Sequence, residues 1–351
     1  MDWIYLIYLS SGLFLGWSLG ANDAANIFGT AVGTKMVKFR TAAIISSIFV
    51  ILGAVYTGAG ASQTLGKLGS VNAIAGAFMV AFSAALTIYW MVLLELPVST
   101  SQAIVGAIVG WNIYSHKPTE LSTLSQIAGT WIICPILSGI IAIALYSLFK
   151  YKLRRAKTHL LRRDTYTRIG LIIVGAFGAY ALGANNIANV MGVFVPSSPF
   201  QNIELPYGMS LNSTQVLFLI GGIAISSGII TYSKNVMNTV GNGLMNMSPF
   251  VALIAVLSQA LVLFLFASQG LKDFLTSHNL PSFPLVPVSS SQAIIGAVIG
   301  IGLLKGGRDI HWGLLGRIAL GWVATPLISA VVCFISLFFL ANVFNLTVYL
   351  P

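Results

Sequence analysis

Charged side chains are scarce in this sequence. Only 7% of its 351 residues are Asp, Glu, Lys or Arg, whereas 57% are hydrophobic. An ordinary soluble domain carries about 25% charged residues. The composition therefore excludes a soluble globular protein and indicates an integral membrane protein.

Cysteines and histidines are also few. Cys134 and Cys333 both lie in apolar runs, so we expect neither a disulfide framework nor a metal site built on them. All four histidines lie in polar connections, and the sequence contains no GxxxxGK(S/T) string. A buried nucleophile with its base and an ATP-driven pump are both disfavoured. We expect no catalytic residues, no enzymatic activity and no cofactor.

The sequence does contain long apolar runs. A membrane-spanning helix needs about 20 predominantly apolar residues. The runs that reach or approach this length are Ile4–Leu19, Thr41–Gly60, Ala73–Leu94, Ser122–Phe149, Arg168–Leu182, Gln215–Ile230, Val251–Ser268 and Trp312–Leu340. They lack the alternation of a membrane β-barrel. We therefore predict an all-α, multi-pass helical bundle in the plasma membrane.

The basic residues are concentrated in one place. The formal net charge is +10, and eight of the eighteen basic residues lie in Lys150–Arg168. Under the positive-inside rule this stretch is a cytoplasmic loop, which we place at 150–167. A nucleic-acid site or a specific lipid site there is the less favoured alternative, so we expect the lipid bilayer as a partner and no nucleic acid.

The two halves of the sequence resemble each other. The string GANDAAN at 20–26 pairs with GANNIAN at 183–189. Later in each half, PVSTSQAIVGAIVG at 97–110 pairs with PVSSSQAIIGAVIG at 287–300, with ten identities in fourteen positions. We call the first pair the GAN strings and the second pair the PVS strings.

A third pair follows in the same order, because GTWIICPILSG at 129–139 matches LGWVATPLISA at 320–330. Three pairs in one order identify an internal duplication. We predict a first transmembrane repeat over 1–149 and a second over 168–351.

The sequence is compatible with more than one number of membrane crossings. We count four full-length apolar segments in each half, whereas inverted-topology repeats need an odd number of crossings. Either a short segment crosses as well, or the long run that starts at Ser122 splits at Pro135. Inverted repeats with broken helices at the membrane midplane are a recurring transporter plan.

All four strings have a composition that is unsuited to a continuous helix. Gly permits unusual backbone angles, and Pro, Ser, Thr, Asn and Asp favour helix starts. We therefore predict that each string begins a half-helix and that the bundle contains broken or re-entrant helices. A helix N-terminus attracts an anion, and unwound carbonyl groups beside it can ligate a cation.

The side chains of the strings suggest a division of roles. Hydroxyl donors suit a tetrahedral oxyanion, and we assign them Ser99, Thr100, Ser101, Ser289, Ser290 and Ser291, with Gln102 and Gln292 orienting the anion or a water. Hard oxygens suit a hard cation, and we assign it Asn22, Asp23, Asn26, Asn185, Asn186 and Asn189. The alternative is that these residues only permit close helix packing.

Two further residues are possible site members. Asp23 and Glu95 are the only acidic residues within or beside the polar strings at predicted membrane depth, where a charge costs roughly 2.5–3.5 kcal/mol. Glu95 either serves as a proton carrier or cation ligand, or pairs at an interface. Arg317 either snorkels, bridges helices or contacts the anion.

The strings resemble those of the inorganic phosphate transporter (PiT) family, whose signatures are GANDxAN near the start of each repeat and PVSTTH later in each. The segment KNVMNTVG at 234–241 also looks like a segment of that family. The resemblance covers nearly the whole chain. It implies secondary transport of inorganic phosphate coupled to Na+ or H+, with inverted repeats and often a homodimer. It also implies that the GAN residues hold the coupling cation, with Na+ at the Asp23 cluster, and that the PVS hydroxyls hold phosphate.

Three departures from the family signatures change more than a threonine to a serine. Asn186 replaces the second aspartate, while Gln102 and Gln292 replace the usual histidine. One fewer carboxylate changes the charge balance of the site. Transport of sulfate or another tetrahedral oxyanion is therefore an alternative within the family, and an anion channel is an alternative of another class.

Overall fold

The computed structural model describes residues 3–69, 71–93, 98–155, 160–204, 206, 210–240, 247–308 and 310–350. The first half contains α1 (Trp3–Gly33), α2 (Phe39–Thr57), α3 (Ala59–Leu68), α4 (Ile74–Leu93), α5 (Thr100–Tyr114) and α6 (Leu121–Arg155). The second half contains α7 (Leu160–Met191), α8 (Ser213–Thr231), α9 (Ser233–Val240), α10 (Pro249–Ala267), α11 (Gln269–Ser277), α12 (Ser290–Leu304) and α13 (Trp312–Asn342). Between α7 and α8 lie a 3-10 turn (Gly192–Ser197) and the short antiparallel strands β1 (Ile203–Glu204) and β2 (Ser210–Leu211).

Eight helices in the described part of the chain are long and apolar enough to cross a membrane. They are α1, α2, α4 and α6 in the first half and α7, α8, α10 and α13 in the second. This confirms the prediction of an all-α, multi-pass membrane bundle. Both α5 and α12 are shorter, with 15 residues each.

The two PVS strings begin helices, as predicted. Ser99 is the N-cap of α5 and its side chain accepts a hydrogen bond from the backbone N–H of Gln102, while Ser289 caps α12 through Gln292 in the same way. A serine hydroxyl at this position satisfies one of the backbone donors that a helix start leaves without a partner. Residues 280–289 before α12 form neither helix nor strand.

The prediction that the GAN strings also begin half-helices is wrong. Helix α1 continues through residues 20–26, and α7 continues through 183–189. The glycines serve close packing instead: a Cβ at Gly20 would collide with the backbone carbonyl of Ile225, and a Cβ at Gly183 with that of Val50. The missing side chain lets two helices touch, and the helical backbone stays intact.

Two expectations about α6 are also corrected. The helix runs without interruption through Pro135, as α13 does through Pro326, so the long run does not split at its proline. The predicted basic loop at 150–167 is largely helical, because α6 continues to Arg155 and α7 begins at Leu160.

The two halves pack against each other in matched pairs. Helix α2 packs on α7 and α8 on α1, while α5 packs on α13 and α12 on α6. Each contact therefore has a counterpart in which the equivalent helices of the opposite halves meet. One large buried cluster contains residues from both halves. The polar strings therefore meet between the halves. The inverted orientation of the repeats and their boundaries remain predictions.

Candidate functional site

The N-termini of α5 and α12 lie against each other at the centre of the site. The hydroxyl of Ser101 donates to the carbonyl oxygen of Val288 at 3.1 Å, and the hydroxyl of Ser291 donates to that of Val98 at 3.4 Å. Each helix start thus bonds to the chain that leads into the other. Both N-termini carry partial positive charge, so together they form an environment that favours an anion.

Helix α1 adds the amides and the carboxylate of the first GAN string. The hydroxyl of Ser290 donates to Asp23 Oδ2 at 2.7 Å, and Nδ2 of Asn22 donates to Asp23 Oδ1 at 3.2 Å. Nδ2 of Asn26 lies 3.5 Å from Ser290 Oγ and 3.4 Å from Ser291 Oγ. Asp23 is only 2% exposed, so its carboxylate relies on these partners.

Helix α7 adds the amides of the second GAN string. Nδ2 of Asn189 donates to Ser101 Oγ and to Asn186 Oδ1, both at 3.0 Å. Asn185 makes two hydrogen bonds to the backbone before α12: its Oδ1 accepts from the N–H of Val288 at 2.9 Å, and its Nδ2 donates to the carbonyl of Val286 at 3.2 Å. All three asparagines are fully buried.

Each GAN string therefore contacts the PVS string of the opposite half. Asn26 in the first half reaches Ser291 in the second, and Asn189 in the second half reaches Ser101 in the first. The duplication produces two half-sites that share their components across the molecule. Each half-site therefore needs the GAN string of one half and the PVS string of the other.

The two half-sites differ in charge. Asp23 accepts a hydrogen bond from Ser290, whereas its counterpart Asn186 donates to the backbone carbonyl of Leu182 at 3.2 Å. Among the predicted site residues that the structure describes, Asp23 is the single carboxylate. The same half-site scaffold thus carries a negative charge on one side and a neutral amide on the other.

Three buried acceptors of the site have no hydrogen-bond partner among the described residues: Gln102 Oε1, Gln292 Oε1 and Asn189 Oδ1. Buried polar atoms are nearly always paired, so unpaired ones call for a functional explanation. Each of these oxygens can accept a hydrogen bond from a ligand or ligate a cation. Within the described residues no group of three His, Cys, Asp or Glu side chains forms a metal cluster, so a cation here would depend mainly on amide, hydroxyl and carbonyl oxygens.

The two additional residues do not join this cluster. Glu95 lies outside the described residues. Arg317 is exposed on α13, and none of the hydrogen bonds above involves it. Sequence reasoning did not identify the carbonyl oxygens of Val98 and Val288 as partners, because a backbone acceptor leaves no signal in residue type.

Comparisons with known proteins identify the family of this chain. The sequence profile of the phosphate transporter family matches residues 19–167, 154–333 and 275–348. The chain belongs to the phosphate transporter family. The resemblance that the strings indicated is thereby confirmed, and the family is one of transporters.

Relatives from two organisms cover nearly the whole chain. A candidate phosphate permease of Methanocaldococcus jannaschii is 30% identical over 322 residues, which cover 92% of this chain and 93% of the relative. A second, from Haemophilus influenzae, is 23% identical and covers 98% of both chains. A solved structure named as the sodium-dependent phosphate transporter matches with a TM-score of 0.74 over 96% of this chain and 100% of its own, at 22% identity. That likeness shows the fold.

Proposed function

We propose that this protein is a secondary active transporter of inorganic phosphate across the plasma membrane, coupled to the symport of Na+ or H+. The hydrogen bond between Ser290 and Asp23 carries the proposal, because it joins a residue of the predicted anion site to one of the predicted cation site. The family membership and the name of the solved structure support phosphate and sodium. Carrier function in a homodimer is part of the proposal.

The shared hydroxyl suggests how the two ions are coupled. A serine hydroxyl has one proton to donate, and in this structure Ser290 donates it to Asp23. A cation bound at the Asp23 carboxylate neutralises its charge, so the carboxylate no longer needs the hydrogen bond from Ser290. The hydroxyl oxygen of Ser290 can also ligate the cation. The proton of Ser290 then becomes available to a phosphate oxygen. Cation binding thus prepares the anion site.

Electrostatics favours the same order of events. The Asp23 carboxylate repels an anion at short range, and Coulomb interactions are strong where water is excluded. A bound Na+ or proton removes that repulsion, while the N-termini of α5 and α12 continue to attract the anion. The loaded site is then exposed to the other side by relative movement of the two halves, as in other transporters with internal repeats.

Phosphate is favoured over sulfate by the acceptors in the site. Near neutral pH phosphate retains at least one proton that it can donate, and the oxygens of Gln102, Gln292 and Asn189 have no partner in this structure. Sulfate offers no such donor. Sulfate transport remains the second candidate function, because Asn186 lowers the negative charge of the site relative to the family signature.

The decisive experiment is uptake of labelled phosphate into proteoliposomes, under a Na+ gradient alone and then under a proton gradient alone. Accumulation above equilibrium under one gradient identifies a coupled transporter and its ion. Labelled sulfate and unlabelled competitors, measured in the same vesicles, decide the anion. Phosphate flux that does not saturate and ignores both gradients would indicate a channel and overturn the proposal.

A further inference from the structure

A cavity of about 360 Å³ lies where the ends of four helices meet. Tyr146 and Lys150 come from the end of α6, Arg163 from the start of α7, Ser248 from the cap of α10, and Lys305 from the cap of α12. A volume of this size falls within the range of small-molecule sites, roughly 300–1,000 Å³. We refer to it as the basic cavity.

Three basic side chains line the basic cavity, and no acidic side chain in the described part of the chain lines it with them. Its described lining contains Lys150, Arg163 and Lys305 and no carboxylate. Within the described part of the chain none of the three forms an ion pair, and Asp164, beside Arg163 in sequence, is exposed and does not line the cavity. Like charges held close together repel each other. An anion in the cavity would remove this repulsion.

Two of the three basic side chains, Lys150 and Lys305, lie over one aromatic ring. Nζ of Lys150 lies 5.4 Å from the ring centroid of Tyr146, and Nζ of Lys305 lies 5.6 Å from the same centroid. Cation–π contacts at such distances are attractive. Tyr146 is itself buried against Phe250, with ring centroids 5.9 Å apart. Both ammonium groups therefore lie within cation–π distance of one buried ring.

The start of α10 adds a further positive contribution. The hydroxyl of Ser248 accepts from the N–H of Val251 at 3.4 Å, and both residues line the cavity. The N-terminus of a 19-residue helix carries partial positive charge. Lys305 lies at the C-terminus of α12, where its positive charge offsets the negative partial charge of that helix end.

The basic cavity lies at the boundary of the membrane-spanning region. The apolar span of α6 ends at Lys152, that of α7 begins at Arg162, and α10 begins at Pro249. Lipid phosphate groups occupy this level of a bilayer. The cavity is separate from the polar site, because the 15 residues of α12 between them span about 22 Å.

We propose that the basic cavity is a second anion site, which binds one phosphate group next to Lys150, Arg163 and Lys305. The arginine guanidinium can bind two phosphate oxygens at once, and the ammonium groups act as point charges. The group comes either from the headgroup of an anionic phospholipid or from inorganic phosphate in solution. Both sources present the same tetrahedral oxyanion.

The test compares the wild type with the variant Lys150→Gln/Lys305→Gln. The matched control is Lys38→Gln/Lys152→Gln, which removes two exposed lysines that do not line the cavity. Lipid binding is measured by native mass spectrometry with phosphatidylglycerol and with neutral phosphatidylcholine. Binding of labelled inorganic phosphate is measured by equilibrium dialysis in a neutral detergent, with Ser290→Ala included to reduce binding at the polar site.

We expect the cavity variant to bind one of the two phosphate probes at least about tenfold more weakly than the control, a difference of roughly 1.4 kcal/mol. Loss of phosphatidylglycerol binding alone identifies the lipid source. Loss of a phosphate-binding component that Ser290→Ala retains identifies the soluble source. Arg163→Gln provides an independent variant if the double variant does not fold. Equal binding of both probes by the cavity variants and the control would overturn the proposal.

Discussion

Ser290 Oγ and Asp23 Oδ2 lie 2.7 Å apart, although 267 positions of the chain separate the two residues. One belongs to the start of α12 and the other to the middle of α1, and both are 2% exposed. The contact connects a hydroxyl of the second half with the carboxylate of the first. It makes the two proposed ion sites one hydrogen-bonded unit.

Replacing Asp23 with Asn removes the charge that the proposed coupling cation neutralises. We expect Na+-driven phosphate uptake to fall by at least about tenfold, since a loss of about 1.4 kcal/mol of cation binding already has this effect. Initial uptake rates in proteoliposomes measure it. The control Asp273→Asn changes an exposed aspartate in α11 and should behave like the wild type. Normal uptake by the Asp23 variant would rule out this carboxylate as the coupling residue.

Ser290→Ala should weaken phosphate binding more than cation binding. A hydrogen bond to a charged group such as phosphate contributes about 1.5–3 kcal/mol, so we expect the half-saturating phosphate concentration to rise by at least about tenfold. Ser290→Thr should restore it, because Thr100 occupies the equivalent position in the other half. Ser10→Ala, at an exposed serine, is the control. An unchanged half-saturation for phosphate in Ser290→Ala contradicts the assignment.

Asn186→Asp should restore the second carboxylate of the family signature. Position 186 is fully buried, and a buried charge needs a compensating partner. We therefore expect steeper dependence of phosphate uptake on Na+ concentration and lower uptake when Na+ is absent. Sodium titrations of the uptake rate measure both. A titration curve identical to that of the wild type would show that this position does not set the number of coupled ions.

Gly106→Ala should destabilise the packing of α5 on α13. A Cβ at Gly106 would collide with the backbone carbonyl of Pro326, and Gly296 stands in the same relation to Pro135. Overpacking of this kind costs about 1–3 kcal/mol, which thermal unfolding in detergent detects as a lower midpoint. Gly129→Ala is the control, because a Cβ there meets no atom within 4 Å. Equal midpoints for the two variants would refute the close approach.

The sequence predicted the elements that bring the site together, although it erred on their local geometry. The PVS strings start α5 and α12 because Ser99 and Ser289 can satisfy their own helix starts, which is a local property. The GAN strings do not break α1 and α7. Gly20 and Gly183 instead leave room for the backbones of Ile225 and Val50, which pack closely against them. A neighbour so distant in the chain cannot be inferred from the local sequence.

By itself, the sequence determined the membrane character, the duplication and the two sets of polar residues. Composition, the internal repeat and residue type are properties of the sequence alone, so they can be read without knowing any contact. Only the tertiary structure decided that Asn26 meets Ser291 and Asn189 meets Ser101 across the halves. It also brought Lys150, Arg163 and Lys305 from three helices around one cavity. Such pairings depend on the packing of helices that are far apart in the sequence. Packing depends on the complementary shapes of whole helices, which a short string does not encode.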